Sequence, residues 1–355
     1  MNLSEIIIQK IKKNGPVCFQ EFMEMCLYYP ELGYYTSTRN KIGKSGDFYT
    51  SAYLSSIFGM LIGKQLEIMW KTLGETAFTI VEYGAGTGIL CHDILLYLKH
   101  NKRMYDQLRY CIIEKSPVMR EIEKSKLTEK VSWHDSIDEI PHINGCILSN
   151  ELIDNFAVHQ VIMKDELMEV FVNYDRSFKE ELKPASKELK QYWRELNVEL
   201  PNGFRTEINL QAIAWIKEIG SALKRGYVMT IDYGYLSDEL YKPSRRQGTA
   251  LCYRNHTVHD NFYEHIGDQD ITSHVNFSAL IHWGEKYGLK KYNFTDQCNF
   301  LLSMGFNDFI QKVYSQEEDI TKAAQKVSIL SHALLIDMGS KFKFLIQEKG
   351  APVHT

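Results

Sequence analysis

The chain has 355 residues, 41 Lys and Arg against 45 Asp and Glu, a net charge of −4 and an ordinary 44% of hydrophobic residues. That length allows one large domain with insertions or two smaller ones, and the lack of a basic excess argues against a nucleic-acid surface. Seven scattered cysteines without a Cys-x-x-Cys pair read as reduced core thiols and point to the cytoplasm, and no apolar stretch is long enough to span a bilayer.

The N-terminal MNLSEIIIQKIKKNG has too short an apolar run for a secretory signal, and Glu5 without arginine argues against a transit peptide. Ser4 as N-cap with Ile7, Ile8 and Ile11 predicts a short amphipathic helix stopped at Gly15-Pro16. CFQEFMEMCLYY predicts a second helix closed by Pro30 and Gly33, residues 33 to 50 a loop, and AYLSSIFGMLIGKQLEIMWKTLG one long helix ending at Gly74. Within that loop, IGKSGDFYTS carries a Gly-Lys-Ser triplet, yet a phosphate loop needs glycine where Thr38 stands and a preceding buried strand.

From residue 75 the period changes. AFTIVEYGAGTGILCHDILLYLKH reads as strand, glycine loop and helix, followed by RYCIIE (strand), SPVMREIEKSKL (helix), VSWH and GCILSNE (strands). Around 155 to 205 the alternation breaks: VIMKDELMEVFVNY predicts a hairpin and ELKPASKELKQYWREL a polar helix, together an insertion. Helix EINLQAIAWIKEIGSALK and strand GYVMTIDYG resume the pattern, 235 to 275 reads as a long functional loop, and helices and strands alternate to FKFLIQ. The expected fold is α/β with a doubly wound, mostly parallel sheet and its ligand at the carboxyl ends of the first strands.

The glycine loop is Gly84-x-Gly86-x-Gly88 with Glu82 before it, not the Gly-x-Gly-x-x-Gly of a dinucleotide fold. A pyrophosphate is drawn to a helix N-terminus; S-adenosylmethionine instead presents ammonium, carboxylate and sulfonium groups, which glycines let the backbone approach and an acid favours. Glu114 ends the second strand, about 30 residues after Gly84, where such folds put an acid on ribose hydroxyls. Asp135 ends the third, near an adenine edge, and Asn150, Glu151 and Asp154 follow the fourth. Together these acids favour a class I methyltransferase over a dehydrogenase.

The chain resembles the MidA-like S-adenosylmethionine-dependent methyltransferases, a family that includes an arginine-methylating assembly factor of mitochondrial complex I. The resemblance runs in order through FQEFMEMCLYYPELGYYTS, KIGKSGDFYTS, VEYGAGTGIL, IEKSPVMR, VSWHDS, SNELIDNFAVHQ, IDYGY, RQGTALCYRNH, DITSHVNFSAL and FLLSMGF. It implies a Rossmann-like methyltransferase with a seven-stranded sheet, an N-terminal helical cap over the cofactor cleft (residues 1–74) and a main domain (75–355). Gly46, Asp47, Phe48 and Thr50 match the covering segment; Glu82, Gly84, Gly86, Gly88 and Glu114 match the cofactor motifs; Asn150, Glu151 and Asp154 match an Asn-Glu-x-x-Asp element beside the reacting methyl. The chain departs from the family at Ala52-Tyr53, where Pro-Glu is usual, and at Asn155-Phe156-Ala157, where Ala-Leu-Pro is usual.

Methyl transfer from a sulfonium needs orientation and exclusion of water more than acid–base work. For a protein arginine acceptor, Glu151 is the first candidate to align the guanidinium and take its proton, with Asp47 or Asp154 second. For a small-molecule hydroxyl acceptor, His159, His256 or His274 would serve as base. The resemblance places Asp232 and Tyr233 on the acceptor side, with Tyr53, His256 and His274 as further acceptor-side candidates; Asp232-Tyr233 reads equally as a strand-end turn. His256, His259 and His265 form no known metal-ligand pattern. A cofactor-binding assembly factor with little turnover is the alternative from another class.

Overall fold

The computed structural model describes residues 1–37, 51–127, 130–317 and 319–351. The chain packs into two compact units, each made of three segments: an N-terminal unit of Met1–Phe48, Ile153–Ile216 and Gly234–Trp283, and an α/β unit of Tyr49–Leu152, Lys217–Tyr233 and Gly284–Thr355. The sequence divides the chain once, near residue 74; the compact units are discontinuous.

Seven strands form the continuous path of an eight-stranded sheet: β1 Phe78–Tyr83, β2 Leu108–Ile113, β3 Val131–His134, β4 Ile143–Asn150, β5 Leu223–Tyr235, β6 Lys290–Asp296 and β7 Phe342–Lys349. The eighth, Val275–Asn276, pairs in parallel with Gly234–Tyr235 at the end of β5, one strand more than the seven expected. The order along the path is β6-β7-β5-β4-β1-β2-β3. Strands β1 to β5 pair in parallel, and β7 runs antiparallel to both β5 and β6. This is the Rossmann-like sheet of class I methyltransferases. Every residue of β1 is buried, as expected of a central parallel strand covered on both faces. Two glycines let the middle strands approach: a Cβ at Gly145 (φ +149) would lie 2.1 Å from the Thr79 carbonyl oxygen, and one at Gly226 (φ +136) 2.0 Å from that of Gly145. The core beside the sheet holds Phe58, Trp70, Tyr110, Phe300 and Phe344, the last two stacked with centroids 3.9 Å apart.

The helix expected from Ala52 to Gly74 is broken at Ser55, giving Ser51–Leu54 and Ser56–Thr72. The Ser55 side chain accepts from the Ile57 N–H, a local bond that competes with helix continuation. At the N-terminus Asn2, not Ser4, caps helix Leu3–Asn14, in a reciprocal box with Glu5.

The N-terminal unit packs helices Leu3–Asn14 and Phe19–Tyr28 with an antiparallel sheet of Val17–Cys18, His159–Met163, Leu167–Asp175, Ser177–Pro184 and Arg205–Ile208. The expected hairpin is present as His159–Met163 against Leu167–Asp175. The expected polar helix is shorter: Pro184 ends a strand, and Ser186 caps helix Lys187–Leu196. The segment read as an irregular loop contains a small sheet of Leu251–Arg254, Thr257–His259 and Asp270–Thr272; strands of three or four residues are too short to show a period. Phe19, Phe22, Leu27, Tyr34, Val172 and Ile271 lie at the centre of this unit's core.

Candidate functional site

In the α/β unit the chain leaves β1 through three glycines in left-handed conformation, Gly84, Gly86 and Gly88, with φ of 64°, 58° and 74°, conformations that a side chain would strain. Gly88 starts helix Ile89–Leu98, and a Cβ on Gly84 would lie 2.9 Å from Leu152 Cδ1. Beside this loop stand acids from adjacent strands. Glu82, 2% exposed, accepts from the Tyr110 hydroxyl at 2.7 Å; burial pushes its carboxyl up to about 7, with Glu114 adding to the effect. Glu114 is raised by burial too, while N–H groups of Ser116 (2.7 Å) and Gly86 work to lower it.

A third acid was not singled out from the sequence. Glu123, on helix Pro117–Lys126, is fully buried and accepts from Trp133 Nε1 at 2.7 Å. Burial, then Glu114, pushes it up to about 8. Its signal was legible: Met119, Glu123 and Leu127 recur at i, i+4, so a carboxyl occupies the stripe that faces the core. Carboxyl groups beside a backbone-lined loop accept hydrogen bonds from ammonium and hydroxyl groups, and a bound cation favours their ionised form. This donor set fits the ammonium, sulfonium and ribose of S-adenosylmethionine.

The end of β4 brings together Asn150, Glu151 and a residue the sequence reading passed over, Ser51. Glu151 Oε1 accepts from Asn150 Nδ2 at 3.2 Å and from the Ser51 N–H at 3.3 Å. Glu151 has φ of 50°, a left-handed conformation costing about 1–2 kcal/mol in a residue with a Cβ, and its N–H donates to Ile231 O. Ser51 is held by its hydroxyl, which donates to the fully buried Gln297 at 3.2 Å.

Other expected site residues have different surroundings. Asp232 is fully buried, and its carboxylate accepts from the N–H groups of Leu152 (3.3 Å) and Tyr233 (2.9 Å), which braces the turn after β4. The Tyr233 ring meets Phe342 edge-on at 5.6 Å. Asp135 is exposed and binds Arg120 at 2.7 Å, whose guanidinium also donates to the carbonyls of Glu114 and His134. Tyr53 is 39% exposed beside buried Ala52. Gly46, Asp47, Phe48 and Thr50 lie outside the described residues.

Four of the described candidates belong to the N-terminal unit. Asp154 is 3% exposed, and its carbonyl accepts from the Ser273 N–H at 3.0 Å. Next in the chain, Asn155 O accepts from the Tyr28 hydroxyl, Phe156 meets Trp215 edge-on, and Ala157 is buried. His159 Nδ1 lies 2.7 Å from Glu169 Oε1. Burial works against its charge, but Cys18 and Glu169 outweigh that and push the ring up to about 9. His274 goes the other way: burial and then Arg245 pull it down to about 4. It lines a small cavity with Tyr192, Glu207 and Asn276. Glu207, also missed, takes the Thr249 N–H and hydroxyl, both at 2.9 Å. His256 is exposed with φ of 59°.

The family model described as "Putative S-adenosyl-L-methionine-dependent methyltransferase" matches residues 61–295. The chain belongs to this family, the MidA-like methyltransferases. It is similar to the protein arginine methyltransferase NDUFAF7 homolog, mitochondrial, of Drosophila melanogaster, with 24% identity over 98% of this chain and 85% of the relative. It is similar to the NDUFAF7 protein arginine methyltransferase of Homo sapiens at 26% identity over 95% of this chain and 81% of the relative. A crystal structure of a superfamily member from Burkholderia thailandensis, bound to S-adenosyl-homocysteine, superposes with a TM-score of 0.89 at 28% identity, covering 99% of this chain and 92% of that one. This MidA-like methyltransferase is an enzyme that uses S-adenosylmethionine as its cofactor. Among its described residues no helix is long and apolar enough to cross a membrane.

Proposed function

We propose that this methyltransferase transfers the methyl group to an arginine side chain of a protein. The observation that carries the reading is Glu151: an acid in a strained left-handed turn at the end of β4, its Oε1 fixed by Asn150 and by the Ser51 N–H. Strain of this kind is kept where a side chain must be aimed. A guanidinium is best held by a carboxylate in fixed orientation, and the names of the animal relatives, protein arginine methyltransferases, support the same acceptor.

When bound, S-adenosylmethionine supplies a methyl group on an already activated sulfonium. The chain's own residues then do the rest. Glu82, held by Tyr110, would accept from the ammonium group; Glu114 would take the ribose hydroxyls in exchange for its loop N–H bonds; Arg120 and Asp135 would border the adenine. Glu151 aligns the acceptor and takes a proton from it. Gly46, Asp47, Phe48 and Thr50 are assigned to the covering segment on the family resemblance, with Asp47 and Asp154 as secondary acids. Tyr53, His256 and His274 keep an acceptor-side role in this reading. A cytoplasmic setting belongs to it as well, supported by the free cysteines alone; the animal relatives carry "mitochondrial" in their names, which describes those proteins.

The test is transfer of radiolabelled methyl from S-adenosylmethionine into a lysate, with mass spectrometry of the labelled product. The expected product is a protein with a methylated guanidino nitrogen. Glu151→Gln should lower turnover about 100-fold and leave S-adenosyl-homocysteine binding within about threefold. Label found only in small molecules would reject the arginine acceptor, and retained turnover in Glu151→Gln would reject the role of Glu151.

A further inference from the structure

Cys18, His159 and Glu169 form a cluster that the methyl-transfer reading leaves unused. The sheet of the N-terminal unit explains how they meet. Strand Leu167–Asp175 has one edge taken along residues 168–175 by Ser177–Pro184. Because a strand has only two edges, its remaining partners share the other: His159–Met163 lies against residues 167–169, and Val17–Cys18 against 171–172. The hand-over between these partners sets Cys18 next to His159, the first residue of its strand, with Glu169 alongside. The sulfur, an imidazole nitrogen and a carboxylate oxygen lie within 4.8 Å of one another.

The distances discriminate between two chemistries. His159 Nδ1 and Glu169 Oε1 are 2.7 Å apart, a charge-assisted hydrogen bond. Two ligand atoms on a tetrahedral zinc, with bonds of about 2.0–2.2 Å, would stand roughly 3.3 Å apart. The cluster is thus arranged to share protons. Glu169 is buried and holds the ring of the partly buried His159, and the same ring interacts with the Cys18 thiol. Cys18 is also the N-cap of the ten-residue helix Phe19–Tyr28, and its side chain makes no capping bond. A thiol in contact with an imidazole that a buried carboxylate holds can leave its proton on the ring as the sulfur attacks. Of the seven cysteines, Cys18 and Cys298 are partly exposed and the other five are buried.

We propose that Cys18, backed by His159 and Glu169, is a reactive thiol that exchanges with low-molecular-weight disulfides. The Cys18 thiolate attacks one sulfur of RS–SR; the bond from Cys18 to that sulfur forms as the S–S bond breaks, and the departing RS⁻ takes the proton carried by His159. Cys18 is oxidised to a mixed disulfide, one disulfide sulfur is reduced to a free thiol RSH, and His159 is left neutral. A second thiol reverses the reaction.

The test is limited alkylation of the native protein with iodoacetamide, read by peptide mass spectrometry, alongside incubation with oxidised glutathione. Cys18 should be alkylated at least about tenfold faster than the partly exposed Cys298 and should take up one glutathione, and His159→Gln should slow alkylation of Cys18 about tenfold. The comparison of Cys18 with Cys298 is made within the wild-type protein, so it stands if the variant fails to fold. Equal rates at the two cysteines, or no glutathione on Cys18, overturn the proposal. Shielding of Cys18 by one equivalent of zinc overturns it in favour of a metal site.

Discussion

In the α/β unit, Glu82 and Glu114 end neighbouring parallel strands, and Glu114 takes an N–H from two residues along its own chain. In the N-terminal unit, Glu207 and Asp270 are bonded to groups 42 and 235 residues away, Thr249 and Tyr35. The first arrangement follows from where a strand stops; the second exists only once distant segments have met. Acids of the first kind take their partners from the strand and loop beside them, Tyr110 for Glu82 and Ser116 and Gly86 for Glu114, whereas acids of the second kind hold together loops and helices far apart in the chain.

Single glycines give the largest contrast. Gly145→Ala would drive a Cβ into the backbone of β1, which cannot move without parting the sheet, and is expected to destabilise by more than about 4 kcal/mol. Gly248→Ala meets the Glu207 carboxylate at 2.3 Å with φ of +87°, a side chain that can shift, and should cost about 1–3 kcal/mol. Urea unfolding of both variants measures the gap; equal losses would dissolve the distinction between backbone-limited and side-chain-limited packing.

Substituting one acid in each unit sharpens the comparison further. Glu114→Ala should weaken S-adenosyl-homocysteine about 10- to 100-fold by calorimetry, the loss of one or two charge-assisted bonds. Glu207→Gln should leave that affinity within about twofold and lower stability instead, since its partners are the Thr249 and Ala250 N–H groups. A reversed pattern would move the cofactor site out of the α/β unit.

The smallest effect separates the units by pH. Glu82 and Glu123 keep their protons in the folded chain up to about 7 and about 8, against 4.5 ordinarily. The folded state therefore binds more protons in that window, and stability is greatest below it and falls as pH rises towards 8. His159 is raised from 6.5 to about 9, so its contribution is complete below about 6.5 and is lost by about 9. Glu123→Gln, which keeps an acceptor for Trp133, should recover about 1–2 kcal/mol at pH 8.5. His159→Gln should flatten the slope between pH 6.5 and 9 only. Unfolding midpoints at pH 5, 7 and 9 check both, and an unchanged slope in either variant removes that group from the account.

The fold was legible because β1, its glycine loop and the following strands carry their signal within a few residues: an apolar run, a turn that only glycine relieves, and an acid at the strand end. Glu123 was half-legible, as an acid on an apolar helical stripe, but a stripe does not say what the carboxyl meets. Ser51 and Gln297, 246 residues apart, left no trace in the sequence, and Asp232 reads equally as a strand-end turn or a contact because both follow an apolar strand.

By itself the sequence determined the α/β class, the glycine loop and the kind of cofactor, since these rest on local backbone conformation and on charge placed by strand length. Tertiary structure alone decided that β5 pairs with β4 as far as Ile231 and with β7 as far as Tyr233, that Glu151 is aimed by Ser51, and that Cys18 meets His159 and Glu169. Those contacts depend on which segments share a strand edge, and pairing between distant segments is set by the packing of the whole unit rather than by any stretch of chain.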